Sequence, residues 1–186
     1  METPVHADVV LKALRKIVAA IEGVGHKPVA IGAVARRSWG AKLEPRGVEL
    51  LLPTGESQRE GILSAARGEG LQQVPGGSPL RLRYVDNKLG GTADVDLVEA
   101  ASPLHQRTIE RAQRGPALQV QMLVATCEDL ILMAAGSPAP ADRECIVDLL
   151  RHNAGRLDAP YLKREAEAQG VFDRVKSAWQ EAKQQG

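Results

Sequence analysis

Residues 71–100 constrain the fold most, because their pattern is typical of paired antiparallel strands. Apolar and polar side chains alternate through Leu80, Leu82 and Tyr84, and the alternation resumes at Val95. The turn-rich sequence DNKLGG separates the two runs. A period of two puts the apolar side chains on one face of each strand, and a glycine-rich turn joins two strands into a hairpin. This segment therefore predicts the antiparallel part of a β-sheet.

Helices and short apolar strands are predicted on both sides of this hairpin. Apolar residues at three- and four-residue steps indicate amphipathic helices, and short apolar runs bounded by Gly or Pro indicate buried strands. The predicted helices are 8–22, one starting at 33, one ending near 67, 104–114 and 128–135, and the predicted strands are 29–31, 48–52 and 118–123.

Three more helical patterns follow the linker-like sequence GSPAPA, without any further strand. Strands with interspersed helices, followed by an all-helical end, predict an α/β (α+β) fold in which helices flank a mixed sheet. We expect residues 1–136 to form this core and residues 137–186 to form a C-terminal helical segment packed on it.

Charge and composition argue against several functions. The 186 residues include 24 Lys and Arg against 23 Asp and Glu. The resulting net charge of +1 is too small to indicate binding to nucleic acid. Lys12, Arg15 and Lys16 interrupt the apolar pattern near the N-terminus, so no signal peptide or membrane span is predicted and we expect a cytoplasmic protein. Cys127 and Cys145 have no partner residues at zinc-ligand spacing, which predicts two buried thiols.

The strand sequence RGVELLLP lacks a carboxylate that a metal-binding strand would carry. Acids two residues apart lie on the same face of a strand, so such a strand is expected to read Asp-x-Asp or Asp-x-Glu before its apolar run. Here Glu49 supplies the second acid, and Gly47 occupies the position of the first.

Five sequence segments, in this order along the chain, resemble the nucleotidyltransferase-fold superfamily, in particular small bacterial members related to abortive-infection and toxin–antitoxin nucleotidyltransferases. KPVAIGAVARRSWG resembles the family's strand, glycine turn and helix, RGVELLLP its Asp-x-Asp strand, and ADVDLV the strand with the third carboxylate. ATCEDLILMAAG and APADRECIVDLLRHN resemble its Glu-Asp-Leu-Ile helix and its next helix.

The resemblance implies magnesium-dependent transfer of a nucleotidyl group from a nucleoside triphosphate to an acceptor. In such a site carboxylates hold the metal, which bridges the phosphates and neutralises charge at phosphorus. Carried over to this chain, Glu49 and Asp96 are the catalytic acids, and Gly32 and Ala33 form the turn that binds the triphosphate. Arg36, four residues after the turn glycine, is a further candidate contact for a phosphate.

Two departures from the family pattern affect this site. Ala33 stands where the family has a second Gly or Ser, so it keeps its backbone N–H but offers no hydroxyl. Gly47 removes an acid that both metal ions would share. Asp94 lies two residues before Asp96 on the same strand face, so it is a candidate third metal ligand beside Glu49 and Asp96; Glu44 is another substitute.

Each of these residues also has a purely structural explanation. Glu49 suits the polar position of a half-buried strand, and Asp94 and Asp96 suit the wet face of a hairpin. Gly32 suits a turn between a strand and a helix, and helical arginines such as Arg36 are usually solvated.

Two functional hypotheses therefore stay open. One is a divergent nucleotidyltransferase, and the other is an inactive relative, a pseudoenzyme, that acts as a protein interaction or nucleotide-binding module. An antitoxin-like or toxin-like role with a protein partner rests on the family resemblance. Phe172, Val175 and Trp179 share one face of the last predicted helix, which predicts that this face docks on the domain, with an interaction helix as the alternative.

Overall fold

The computed structural model describes residues 7–53, 55–76 and 80–185, except for the side chains of Glu56 and Ser57. Within these residues the chain forms eight helices and one seven-stranded sheet. The helices are α1 Ala7–Gly23, α2 Gly32–Ser38, α3 Glu56–Gly68, α4 Pro103–Arg111, α5 Cys127–Gly136, α6 Pro140–Asn153, α7 Ala159–Ala168 and α8 Phe172–Gln184. The strands are β1 Val29–Ile31, β2 Gly47–Leu52, β3 Leu71–Gln73, β4 Leu80–Asp86, β5 Gly91–Glu99, β6 Gln113–Ala117 and β7 Val120–Val124.

The sheet is mixed, and its strand order is β3-β4-β5-β2-β1-β7-β6. The hairpin predicted in residues 71–100 is β4 and β5, which pair antiparallel, and β3 extends it at one edge. β2 joins the hairpin by pairing parallel to β5 and antiparallel to β1. The predicted α/β fold class, a mixed sheet flanked by helices with helices at the C-terminal end, is confirmed.

α1 covers one face of the sheet, and this determines on which face the predicted site residues of β5 lie. α1 packs on β5 and β2, and the buried side chains of β5, such as Ala93, Val95 and Leu97, alternate with more exposed ones. Side chains of successive strand residues point to opposite faces. Asp94 and Asp96 therefore lie on the face opposite the one that meets α1.

The prediction for residues 104–123 is wrong in two respects. The helix ends at Arg111, and the single strand expected at 118–123 is the second half of a hairpin made by β6 and β7. Leu118 and Gln119 form its turn with φ of 44° and 70°. This left-handed conformation is usually supplied by Gly or Asn, so the sequence gives no turn signal here.

A buried polar network joins α7 to the N-terminus of α5. Asp129 is fully buried, and its carboxylate accepts hydrogen bonds from the Tyr161 hydroxyl at 2.6 Å and the Thr126 hydroxyl at 2.8 Å. The guanidinium of Arg111 lies 3.7 Å from the centre of the Tyr161 ring. Thr126 also caps α5, as predicted. The network therefore attaches α7, a helix of the C-terminal segment, to α5, the helix that follows the last strand.

The two cysteines are buried free thiols, as predicted, and burial raises the pKa of Cys127 to about 12. Over the described part of the chain, no helix is both long enough and apolar enough to cross a membrane.

Candidate functional site

The predicted site residues of β2 and β5 lie side by side on one face of the sheet. In the parallel pairing of β2 with β5, Glu49 is the register partner of Asp96, and Gly47 is the partner of Asp94. Partners in register point their side chains to the same side. The structure therefore brings the predicted carboxylates onto one face in two adjacent rows.

The hairpin extends both rows with an arginine. Arg81 of β4 is the cross-strand partner of Asp96, and Arg83 is the partner of Asp94. Arg81 donates from Nε and Nη2 to the two oxygens of Asp96, at 2.6 and 2.8 Å. Arg83 donates in the same way to Asp94, at 2.7 and 3.0 Å. Both aspartates are therefore held by bidentate charge-assisted pairs, which are among the stronger hydrogen-bonded contacts in proteins.

The pKa of Asp94 reflects this pairing. The hydrogen bonds and charge of Arg83 lower it below its ordinary value, although partial burial opposes the effect. Asp94 therefore stays ionised, with its charge balanced by a protein side chain.

Glu49 lies against the predicted phosphate turn. Gly32 begins α2 with φ of 60°, and a Cβ built on this glycine would lie only 2.1 Å from Oε1 of Glu49. The absence of a side chain at Gly32 thus makes room for the carboxylate, and the backbone amide of Ala33 lies close enough to favour its charged form. The carboxylate and the turn that the resemblance assigns to metal and triphosphate are therefore in contact with each other.

The environment of Glu49 makes its carboxylate harder to ionise. Although the residue as a whole is exposed, its carboxyl group is crowded by protein atoms, and this loss of water raises the pKa above its ordinary value. The nearby charge of Asp96 raises it further, while Arg36 and the Ala33 amide oppose the shift.

Arg36, a candidate contact for a phosphate, forms an ion pair with a side chain of the C-terminal segment. Its guanidinium forms a short ion pair with Asp142 at the start of α6, and both side chains are largely buried, with 17% and 19% of their surface exposed. This pair links α2 to the C-terminal helices. Glu44, the other substitute considered for the missing acid, forms an ion pair with Arg37 at 2.6 Å.

The backbone of the neighbouring strand explains why position 47 holds glycine in place of an acid. A Cβ built on Gly47 would lie 2.7 Å from the backbone carbonyl oxygen of Asp94 on the neighbouring strand. A contact this short requires the main chain to move, since neither atom belongs to a flexible side chain. The close pairing of β2 with β5 thus depends on glycine at this position.

The carboxylates of Glu49, Asp94 and Asp96 do not fit the magnesium site that the resemblance implies. Across residues 7–53, 55–76 and 80–185, no three His, Cys, Asp or Glu side chains converge in a way that could hold a metal ion. Magnesium needs near-octahedral oxygen ligands, whereas arginines engage both oxygens of Asp94 and of Asp96. The assignment of Glu49, Asp94 and Asp96 to metal and catalysis, and of Gly32, Ala33 and Arg36 to the nucleotide, stays a prediction.

Arg81 and Arg83 are the site residues that the sequence analysis missed. Their signal was present, because two arginines alternate before the DNKLGG turn and two aspartates alternate after it. In a hairpin, oppositely charged residues at matching distances from the turn become cross-strand neighbours. Asp142 had no such local signal, since it reaches Arg36 from a distant helix.

The sequence finds no match among protein-family models or curated proteins. Solved structures, however, resemble the chain over most of its length. The solution structure of the antibiotic-resistance factor ANT(2'')-Ia aligns with a TM-score of 0.60 and 12% identity over 97% of this chain and 98% of its own. An antigenic nucleotidyltransferase-like protein from Paracoccidioides brasiliensis aligns with a TM-score of 0.57 and 10% identity over 96% and 95%. The lincosamide antibiotic adenylyltransferase LnuA, with lincomycin bound, aligns with a TM-score of 0.52 and 13% identity over 76% and 96%. The chain therefore has the nucleotidyltransferase fold.

Proposed function

We propose that this protein is a pseudoenzyme of the nucleotidyltransferase fold that acts as a protein interaction module and does not transfer nucleotides. The observation that carries the proposal is the pairing of both candidate aspartates with arginines of the neighbouring strand. The glycine at the first acid position supports it independently, because the backbone of the next strand leaves no room for a side chain there.

The argument from charge concerns competition for the same oxygen atoms. A magnesium ion bound by Asp94 or Asp96 would have to displace Arg83 or Arg81 from a bidentate pair, and the displaced guanidinium would remain close to the metal. Two like charges at such short range repel each other strongly when partly shielded from water. Metal binding is therefore opposed both by the loss of the ion pairs and by this repulsion.

A triphosphate meets a similar obstacle at the turn. The carboxylate of Glu49 occupies the space over Gly32, beside the Ala33 amide that would otherwise face a phosphate. Arg36, the nearby cation, is neutralised by Asp142. A triphosphate would therefore find the Glu49 carboxyl group in the space beside the Ala33 amide and would find Arg36 already paired with Asp142.

The second candidate function is magnesium-dependent transfer from a nucleoside triphosphate to an unidentified acceptor. The specific observation in its favour is that Glu49 and Asp96 are register partners, so two of the implied acids do lie together. This function requires Arg81 to release Asp96 when metal and nucleotide bind. The acceptor class would follow the adenylyltransferase LnuA, whose solved complex contains an antibiotic.

Other expectations from the sequence belong to this proposal. We assign the protein to the cytoplasm, treat residues 1–136 and 137–186 as a core and a helical segment, and expect a protein partner of the kind found in two-component loci. The tie between Arg36 of α2 and Asp142 of α6 supports a helical segment that is packed on the core.

Thermal unfolding in the presence of each nucleoside triphosphate, with and without magnesium, tests the proposal. A ligand that binds only the folded state raises the unfolding midpoint. We expect no magnesium-dependent rise at millimolar nucleotide. A magnesium-dependent rise that disappears in Asp96→Asn would instead favour the transferase.

A further inference from the structure

A groove lies between the last two helices of the chain. Gly170, with φ of 68°, turns the chain from α7 into α8. α7 then packs on α5, α8 packs mainly on α6, and α7 and α8 also contact each other. The resulting α7/α8 groove has a volume of about 270 Å³ and an almost entirely apolar lining, which includes Leu162, Phe172, Val175 and Trp179.

Two aromatic side chains form much of this lining. The chain has one Phe, two Trp and two Tyr, so Phe172 and Trp179 are two of only five aromatic residues. Val175 is buried and packs the helix on the core, as the sequence predicted for this face, whereas Phe172 and Trp179 keep part of their surface exposed in the groove. Partly buried aromatic side chains in an apolar depression, packed on the core with one side open, are typical of the centre of a protein interface.

The charged residues of the groove lining are both lysines. Lys163 lies on α7 and Lys176 on α8, so a cation stands on each helix beside the apolar surface. Lys163 has only a loose contact with Glu167 of its own helix, at 3.9 Å between exposed side chains. Within the described residues, Lys176 has no carboxylate within salt-bridge distance of 4.0 Å. The groove is thus complementary to an apolar segment that carries acidic residues.

We propose that the α7/α8 groove binds an amphipathic helix of a partner protein, with a large apolar side chain between Phe172 and Trp179 and acidic residues facing Lys163 and Lys176. A groove of about 270 Å³ has room for a few anchoring side chains of a helix laid along it. This inference rests on the proposed interaction function and names the surface and the chemistry of the partner.

The experiment uses Trp179 as its own reporter. In a Trp39→Phe background Trp179 is the single tryptophan of the chain. The probe is a synthetic amphipathic helical peptide with Leu and Phe on one face and Glu along both sides, and its twin carries Lys in place of Glu. We expect the acidic peptide to shift the fluorescence of Trp179 and to bind roughly tenfold or more tightly than its twin.

Charge reversal provides the matched test. Lys163→Glu combined with Lys176→Glu should invert the preference and favour the basic peptide, whereas Lys183→Glu, at an exposed position near the end of α8, should leave it unchanged. Failure of the acidic peptide to bind, equal binding of both peptides, or a preference that the double reversal does not alter would overturn the proposal.

Self-association would also overturn it. If sedimentation gives a dimer that Trp179→Glu converts to a monomer, the groove is occupied by a second copy of the chain. The test is separate from that of the proposed function, because magnesium-dependent nucleotide transfer would refute the pseudoenzyme without changing the peptide preference of the groove.

Discussion

Both carboxylate oxygens of Asp96 accept hydrogen bonds from one guanidinium group, that of Arg81 on the adjacent strand, at 2.6 and 2.8 Å. Asp96 occupies the position where the nucleotidyltransferase resemblance implies a metal ligand. The arginine therefore supplies the positive charge that a divalent cation would otherwise provide. Asp94 and Arg83 repeat the arrangement one row away.

Replacing Gly47 with Asp should destabilise the protein and should not create transfer activity. The new Cβ would lie 2.7 Å from the Asp94 carbonyl oxygen, and such overpacking costs about 1–3 kcal/mol. Urea unfolding measures the change. Gly61→Ala is the control, because this helical glycine has no atom within 4 Å of its Cβ position and should gain about 0.5–1 kcal/mol. A stable Gly47→Asp variant with magnesium-dependent activity would contradict the account.

Replacing Gly32 with Ala should reveal the contact with Glu49. The left-handed backbone alone costs about 1–2 kcal/mol for a residue with a Cβ, and displacement of the carboxylate adds to this cost. In a Glu49→Ala background only the backbone cost should remain, so a double-mutant cycle by urea unfolding should give a coupling above about 0.5 kcal/mol. Gly25→Ala, with φ of 85° and open space around it, isolates the backbone cost. Zero coupling would show that the carboxylate does not rest on Gly32.

Replacing Glu49 with Gln should change how stability depends on pH. The folded-state pKa of Glu49 is raised, so its contribution to stability is fully present below its ordinary value of 4.5 and is lost as pH rises through the folded-state value. Gln cannot ionise and avoids this loss, so the variant should gain stability relative to the parent between about pH 4 and pH 7. Equilibrium unfolding at both pH values measures the difference. Glu22→Gln, at an exposed position near the end of α1, is the control for replacing a carboxylate with an amide.

Replacing Tyr161 with Phe should weaken the attachment of α7. The variant keeps the ring beneath Arg111 but leaves one oxygen of the buried Asp129 without its donor, which costs about 1–3 kcal/mol. Tyr84→Phe is the matched control: Asp86 keeps Lys12 and two backbone amides as donors, so the loss should stay below about 1 kcal/mol. Equal losses in thermal or urea unfolding would contradict the role of the network.

The sequence predicted those parts of the fold whose signals are local. β1 and β2 coincide with short apolar runs of the sequence. The hairpin of β4 and β5 coincides with the alternation of apolar and polar residues on both sides of its turn. The β6–β7 hairpin escaped prediction because Leu118 and Gln119 adopt a left-handed turn without Gly or Asn. Pro116 also argues against a strand, but β6 lies at the edge of the sheet, where a missing backbone donor is tolerated.

The sequence predicts the positions of the site residues, but it carries a signal for only some of their contacts. The carboxylate at Glu49 and the glycine at Gly47 could be read from one strand. The pairing of Arg81 with Asp96 follows from their matched distances from the DNKLGG turn, so the sequence does carry its signal. That Asp142 meets Arg36 depends on the packing of a distant helix, which no local pattern encodes.

Binding of manganese, a spectroscopic substitute for magnesium, tests the central claim most directly. We expect electron paramagnetic resonance to detect no stoichiometric Mn²⁺ site in the wild-type protein at millimolar metal. The Arg81→Gln, Arg83→Gln variant frees both aspartates, but within the described residues no three acidic or other metal-ligating side chains converge, so we expect it to gain only weak Mn²⁺ binding, which adding Asp96→Asn should remove. A stoichiometric Mn²⁺ site in the wild-type protein that is lost in Asp96→Asn would contradict the account and restore the metal-dependent transferase as the leading function.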